Sequence, residues 1–192
     1  MSRSKIVCLV LLALGIAYAM IYGRTPKYQI LQQLGTVVIM GALLNRQLTN
    51  RSVYLVTAFG LMHVVGGCYL YSYVPYNEWI LSLTGGNFNI QEFFGFERNH
   101  YDRLVHFSFG LLFMSYARDL TKNLFMAWLC IQTFSMVYEL FEWSLTLMLA
   151  GDAADSYNGQ QGDAWDAHKD MALAMFGSTI SAAWMYFKSQ RK

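Results

Sequence analysis

Charge is what this sequence has least of. Lys, Arg, Asp and Glu make up 14% of its 192 residues, against about 25% in a typical soluble domain. The shortfall falls in long apolar runs, which excludes an ordinary water-soluble globule and indicates a polytopic membrane protein. Only two prolines occur and no Gly/Ser-rich linker is present, so one membrane-embedded helical domain over residues 1–192 is the simplest organisation. The three cysteines, Cys8, Cys68 and Cys130, lie in apolar runs without a C-x-x-C pair. That pattern excludes a disulfide framework and a zinc-ribbon spacing. The net charge of +2 is too small for a nucleic-acid partner. Internal repeats and low-complexity tracts are also missing.

Hydrophobicity, by contrast, reaches 55%. A membrane crossing needs about 20 mainly apolar residues. Six segments qualify: 5–23, 29–46, 53–74, 103–120, 123–149 and 165–188. Gln29, Gln32 and Gln33 make the second the weakest. Pro75 to Asp102 and Gly151 to Gln161 read as extramembrane loops. The predicted fold is therefore all-α, a polytopic bundle of about six transmembrane helices. Placing the N-terminus in the cytoplasm puts nine Lys and Arg inside and five outside, as the positive-inside rule requires. Both termini are then cytoplasmic, and both loops face out. Residues 1–19 also fit a signal peptide ending in Ala17-Tyr18-Ala19. Its cleavage would leave five spans in the same orientation.

Ionisable groups are rare inside spans and cluster where function is. Helical spacing sorts them into stripes. Thr57, Gly60, His63, Gly67 and Tyr71 share one face of the third span. Asp102, His106 and Gly110 share a face of the fourth. Gln132, Ser135, Glu139 and Glu142 do so in the fifth. Asp163, Asp166, Asp170, Ala174, Gly177 and Ser181 do so in the sixth. The small residues allow close helix approach. Counting from the outer ends puts Glu139, Glu142 and His63 roughly 10–15 Å deep. One outward-facing pocket can thus collect these groups, with Glu139, Glu142 and His63 as its floor. Asp102, Asp163 and Asp166 also read as carboxylates serving helix N-termini. Asp170, one turn further in, has no such role.

His63-V-V-G-G-C-Y-L-Y, Asn99-H-Y-D-R-L-V-H-F-S-F-G, Tyr138-E-L-F-E-W and Gln161-G-D-A-W-D-A-H-K-D-M occur in this order. Taken together they resemble the bacterial inner membrane protein YjdF family over roughly residues 50–180. The layout of an Asp/His span, a Glu span and an Asp-bearing last span is more loosely similar to VanZ-like membrane proteins. The first resemblance implies a multi-pass protein of the bacterial inner (plasma) membrane. It comes from an uncharacterised family and so supplies no reaction. It implies recurrent polar positions at His63, Asp102, Arg103, His106, Glu139, Glu142, Asp163, Asp166 and Asp170. His168 departs from the pattern, where Gln is expected.

Three readings stand side by side. In the first, the pocket is a metal-dependent hydrolase acting on a lipid-like or phosphate-bearing substrate from the bilayer. His63, His106, Glu139, Asp166 and Asp170 would be ligands of zinc, manganese or iron. Asp102 and Glu142 would be catalytic carboxylates, and Arg103 and Asp163 would bind substrate. In the second, the same groups relay protons or a cation through a transporter. In the third, the chain is a non-catalytic membrane scaffold, and the same groups form a structural network of salt bridges and hydrogen bonds that could also bind a lipid headgroup.

Overall fold

The computed structural model describes residues 1–148 and 161–191. All regular structure among them is helical. Six long helices occur: α1 (Arg3–Tyr22), α2 (Pro26–Leu43), α3 (Asn50–Cys68), α6 (Tyr101–Thr121), α7 (Leu124–Met148) and α8 (Asp166–Gln190). Two short ones, α4 (Tyr76–Leu83) and α5 (Ile90–Phe94), lie between α3 and α6. The first three long helices pack on one another, as do the last three, and α3 against α6 joins the two groups.

Three of the long helices, α1, α3 and α7, are long and apolar enough to cross a membrane by length and composition. In α2, α6 and α8 the apolar pattern is interrupted by the polar residues that build the interior. The burial pattern is inverted relative to a soluble protein. Gln29, Thr36, Ser52, Asp170 and Ser178 are buried, while Leu14, Ile21, Phe134, Trp143 and Leu147 are exposed. Lipid rather than water suits such a surface.

Both ends of the bundle are tied by polar contacts. At one end Thr49 caps α3 through Ser52. Its own N–H and hydroxyl donate to Asp119 of α6 at 2.7 and 2.8 Å. The buried Lys5 ammonium donates to the Asn45 carbonyl at that same end. At the opposite end Asn99 Nδ2 donates to the Val74 carbonyl at 2.9 Å. The His100 N–H there donates to the Tyr76 hydroxyl at 3.1 Å.

Two features depart from the sequence expectation. The apolar pattern predicts a third span reaching residue 74, but α3 stops at Cys68. Leu70 and Tyr71 take left-handed φ values of 53° and 50°, and the Tyr71 N–H turns back to the Gly66 carbonyl at 2.7 Å. The loop after Pro75 holds α4 and α5, whose Trp79, Leu83, Phe93 and Phe94 are exposed together with Phe88 between them. The second expected loop lies outside the described residues, apart from Gln161.

Candidate metal centre

Helices α6 and α8 form the most extensive contact in the bundle, and glycine makes it. A Cβ added at Gly110 would overlap the Ala174 carbonyl oxygen, and one at Gly177 would overlap the Phe107 carbonyl oxygen. The two backbones therefore touch. One to two turns from that contact, Asp102 and His106 on α6 face Asp166 and Asp170 on α8. The i, i+4 spacing on each helix keeps each pair on one face. Helix α7 brings Glu139 and Glu142 alongside, tied to α8 by Gln132, whose Nε2 donates to Ser178 Oγ at 2.9 Å.

The result is two layers. In the outer one, Arg98 Nη1 lies 2.9 Å from Asp166 Oδ1 and 3.7 Å from Asp163 Oδ2. Arg103 pairs with Asp163 and lies 3.4 Å from Asp166. Lys169 Nζ is 2.6 Å from Asp163. Arg103 and Asp163, expected to hold substrate, thus pair with each other. Arg98 is the participant that sequence reading missed. It sits in the loop before α6, where no helical period marks it. Beside this layer, burial and then the charges of Arg103 and Arg98 hold the His100 imidazole below its ordinary value. Neutral Nδ1 of His100 then accepts from Arg103 Nη1, at 3.1 Å.

Asp163 stands outside the helices, and its carboxyl lies well below its ordinary value of 3.8. The Lys169 hydrogen bond is the main cause and the Trp165 N–H the next. A depressed carboxylate stabilises the fold above its unfolded pKa and stops doing so as pH falls through the folded one. Accordingly, the difference in thermal midpoint between the native protein and Asp163→Asn should be full near neutral pH. It should shrink only below about pH 4. A difference that stays constant down to the acid limit would refute this role.

In the inner layer, Asp102, His106 and Asp170 each offer a ligand atom, and these atoms all lie within 4.8 Å of one another. All three residues are buried, Asp170 to 2% exposure. Asp170 Oδ1 has no hydrogen-bond partner. His106 lies between two carboxylates, with Nε2 3.7 Å from Asp102 Oδ1 and Nδ1 3.4 Å from Glu139 Oε1, and that Glu139 oxygen makes no hydrogen bond. Glu142 is buried one turn from Glu139, among Asp102, Glu139 and Asp170 as its charged neighbours. Among the described residues, no Lys or Arg comes within 4.0 Å of Asp102, Glu139 or Asp170. Buried carboxylates in such excess require protons or a cation. The capping role considered for Asp102 is not used. Asn99 instead accepts from the Tyr101 N–H at 2.9 Å, and the Asp102 carboxylate turns toward His106.

His63 stands apart from this group. Its Nδ1 is 3.0 Å from Thr36 Oγ1, which in turn donates to Gln33 Oε1 at 3.0 Å. With the Thr36 hydrogen committed to Gln33, His63 Nδ1 is the donor of that pair. Its ring meets Tyr71 edge-on at 5.9 Å, and its Nε2 packs over Gly35. Gln29, Gln32 and Gln33 are the buried face that α2 turns toward α3. Gln29 Nε2 donates to the Gly67 carbonyl at 3.1 Å.

Residues 4–191 match the family described as Predicted membrane protein (DUF2238). The chain belongs to that family. It is also 33% identical over 141 residues to the inner membrane protein YjdF of Escherichia coli (strain K12), a stretch covering 68% of this chain. The same stretch covers 62% of the relative, so the chain spans under two thirds of that protein's length. No solved structure matches the chain. The family is one of membrane proteins, which fits α1, α3 and α7.

Proposed function

We propose that this chain is a multi-pass inner membrane protein with a metal-dependent hydrolytic centre formed by α6, α7 and α8. All six long helices cross the bilayer in this reading, with both termini cytoplasmic and the acidic end outward. The distribution of Lys and Arg supports that orientation. The observation that carries the metal reading is the convergence of Asp102, His106 and Asp170, with a buried Asp170 oxygen that lacks a partner.

One imidazole and two carboxylates form an oxygen-rich donor set. That favours manganese or iron over zinc. Glu139 then acts on the His106 ring from behind, fixing its orientation as supporting carboxylates do in metal sites. Glu142 is placed as the general base. A bound divalent ion would lower the pKa of a water and polarise an ester or phosphoryl oxygen. Asp166 serves the outer ion layer with Arg98, Arg103 and Asp163. Such a layer closes the site toward water and holds α8 against α6. The substrate class in this reading is lipid-like and phosphate-bearing, reached from the bilayer.

The test is hydrolysis of phosphate- and carboxylate-ester lipid analogues by the purified protein in nanodiscs, with manganese, iron or zinc added in turn. Glu142→Gln should keep the ion and lower turnover by about 100- to 10,000-fold, the usual worth of a general base. Metal-loaded protein with no turnover on any ester would overturn the hydrolase reading. Unchanged turnover in Glu142→Gln would remove that residue from the chemistry.

A further inference from the structure

A cleft opens at the same end of the bundle as the acidic centre. It measures about 500 Å³ and is bounded by the turn after α1, the turn after α3, the start of α4 and the loop before α6. That is within the roughly 300–1,000 Å³ of ordinary ligand pockets. Its charged lining is Arg24, Arg98, Glu78 and Glu97, with Tyr76 and Asn77 between them. Arg24 is held by stacking its guanidinium 4.0 Å above the Tyr73 ring. Among the described residues no carboxylate comes within 4.0 Å of Arg24, and no Lys or Arg within that distance of Glu78 or Glu97. Arg98 is paired with Asp166 and Asp163, while Arg24 shares one cleft with Glu78 and Glu97, all three exposed and with no ion pair among them. A ligand carrying both signs satisfies them together.

The rim says where such a ligand comes from. Helices α4 and α5 border the cleft through Tyr76 and Gln91, and they expose Trp79, Leu83, Phe93 and Phe94. In a membrane protein, short helices with exposed aromatics at a bundle end lie in the headgroup region. The cleft then opens at the depth of lipid headgroups.

We propose that this cleft binds a zwitterionic aminoalkyl phosphate headgroup, with the phosphate against Arg24 and the ammonium against Glu78 and Glu97. Guanidinium suits phosphate through its forked donors. Carboxylates suit a primary ammonium. Membrane lipid is the source. Binding requires no metal, so it stands or falls separately from the hydrolytic reading.

The experiment uses the full chain, chelator-treated and in detergent. Binding is measured by titration with three probes: a short-chain phosphoethanolamine lipid, the phosphoglycerol lipid of equal chain length, and free aminoethyl phosphate. The phosphoethanolamine lipid should bind best. Arg24→Gln should weaken it about tenfold or more, with partial rescue by Arg24→Lys. Glu78→Gln with Glu97→Gln should abolish the preference over phosphoglycerol. Free aminoethyl phosphate binding as tightly as the lipid would overturn the membrane source and keep the headgroup chemistry. Equal affinity for both lipids in the native chain, or no response to Arg24→Gln at an unchanged thermal midpoint, would overturn the proposal.

Discussion

Replacing His106 with alanine is expected to abolish divalent-metal binding by the purified protein. The reasoning is geometric. His106 supplies the one nitrogen of the converging set and stands between Asp102 at 3.7 Å and Glu139 at 3.4 Å. Without the ring, two buried carboxylates face each other across a gap, with nothing to hold their spacing. Asp170→Asn should act almost as strongly, because it keeps the side-chain shape and removes one ligand charge. Glu139→Gln should be milder. A supporting carboxylate behind a ligand histidine is worth about 10–100-fold in affinity. His106→Ala should exceed that range. His63→Ala should leave affinity unchanged, since its ring is committed to Thr36 on the other side of the bundle. Equilibrium dialysis with elemental analysis separates these cases. A native chain that retains no ion, or a His63→Ala variant that loses it, would contradict the assignment.

The second large effect lies one to two turns away from the ligands. Gly110→Leu or Gly177→Leu should destabilise the protein severely. An added Cβ at either position meets a carbonyl oxygen of the opposing helix, and backbone cannot swing aside as a side chain can. Overpacking an ordinary core costs about 1–3 kcal/mol. Here the cost should reach or exceed the upper end, against a total stability of roughly 5–15 kcal/mol. Forcing α6 and α8 apart also separates His106 from Asp170, so metal binding should fall with stability. Gly41→Ala is the control, because nothing lies within 4 Å of its added Cβ. Within a helix that change should be neutral or stabilising by up to about 1 kcal/mol. Thermal unfolding in detergent reads both. Gly110→Leu with a native midpoint would show that the two helices do not touch as described.

How much of this was legible beforehand follows from what helical spacing encodes. Period 3.6 tells which residues share a face, so the stripes Asp102–His106–Gly110 and Asp166–Asp170–Ala174–Gly177 could be read directly. Their small members indicated close approach, and Gly110 and Gly177 provide it. Spacing does not tell which helix a face meets. His63 lies on a polar stripe like the others, yet its partner is Thr36 on α2. Its expected depth counts from the outer end of a span over 53–74, whereas the Gly66 carbonyl closes a turn that ends α3 at Cys68. The glutamines of α2 argued against a span when taken singly. They become intelligible only as the buried face that receives His63 and Gly67. Roles within the acidic group were equally beyond spacing. The sequence reads Asp102 as a catalytic carboxylate and Glu139 as a ligand; the centre proposed above instead uses Asp102, whose oxygen lies within 4.8 Å of the His106 and Asp170 donor atoms, as a ligand and Glu139 behind the ring. Arg98 carried no periodic signal, because it precedes its helix.

The central claim is that Asp102, His106 and Asp170 hold one divalent ion. X-ray absorption on the manganese- or zinc-loaded protein tests it most directly. The expected spectrum has one imidazole and otherwise oxygen ligands, at about 2.0–2.2 Å for zinc, and the bound-ion signal itself is lost in His106→Ala. A spectrum with two imidazoles, or one unchanged by His106→Ala, would contradict the account.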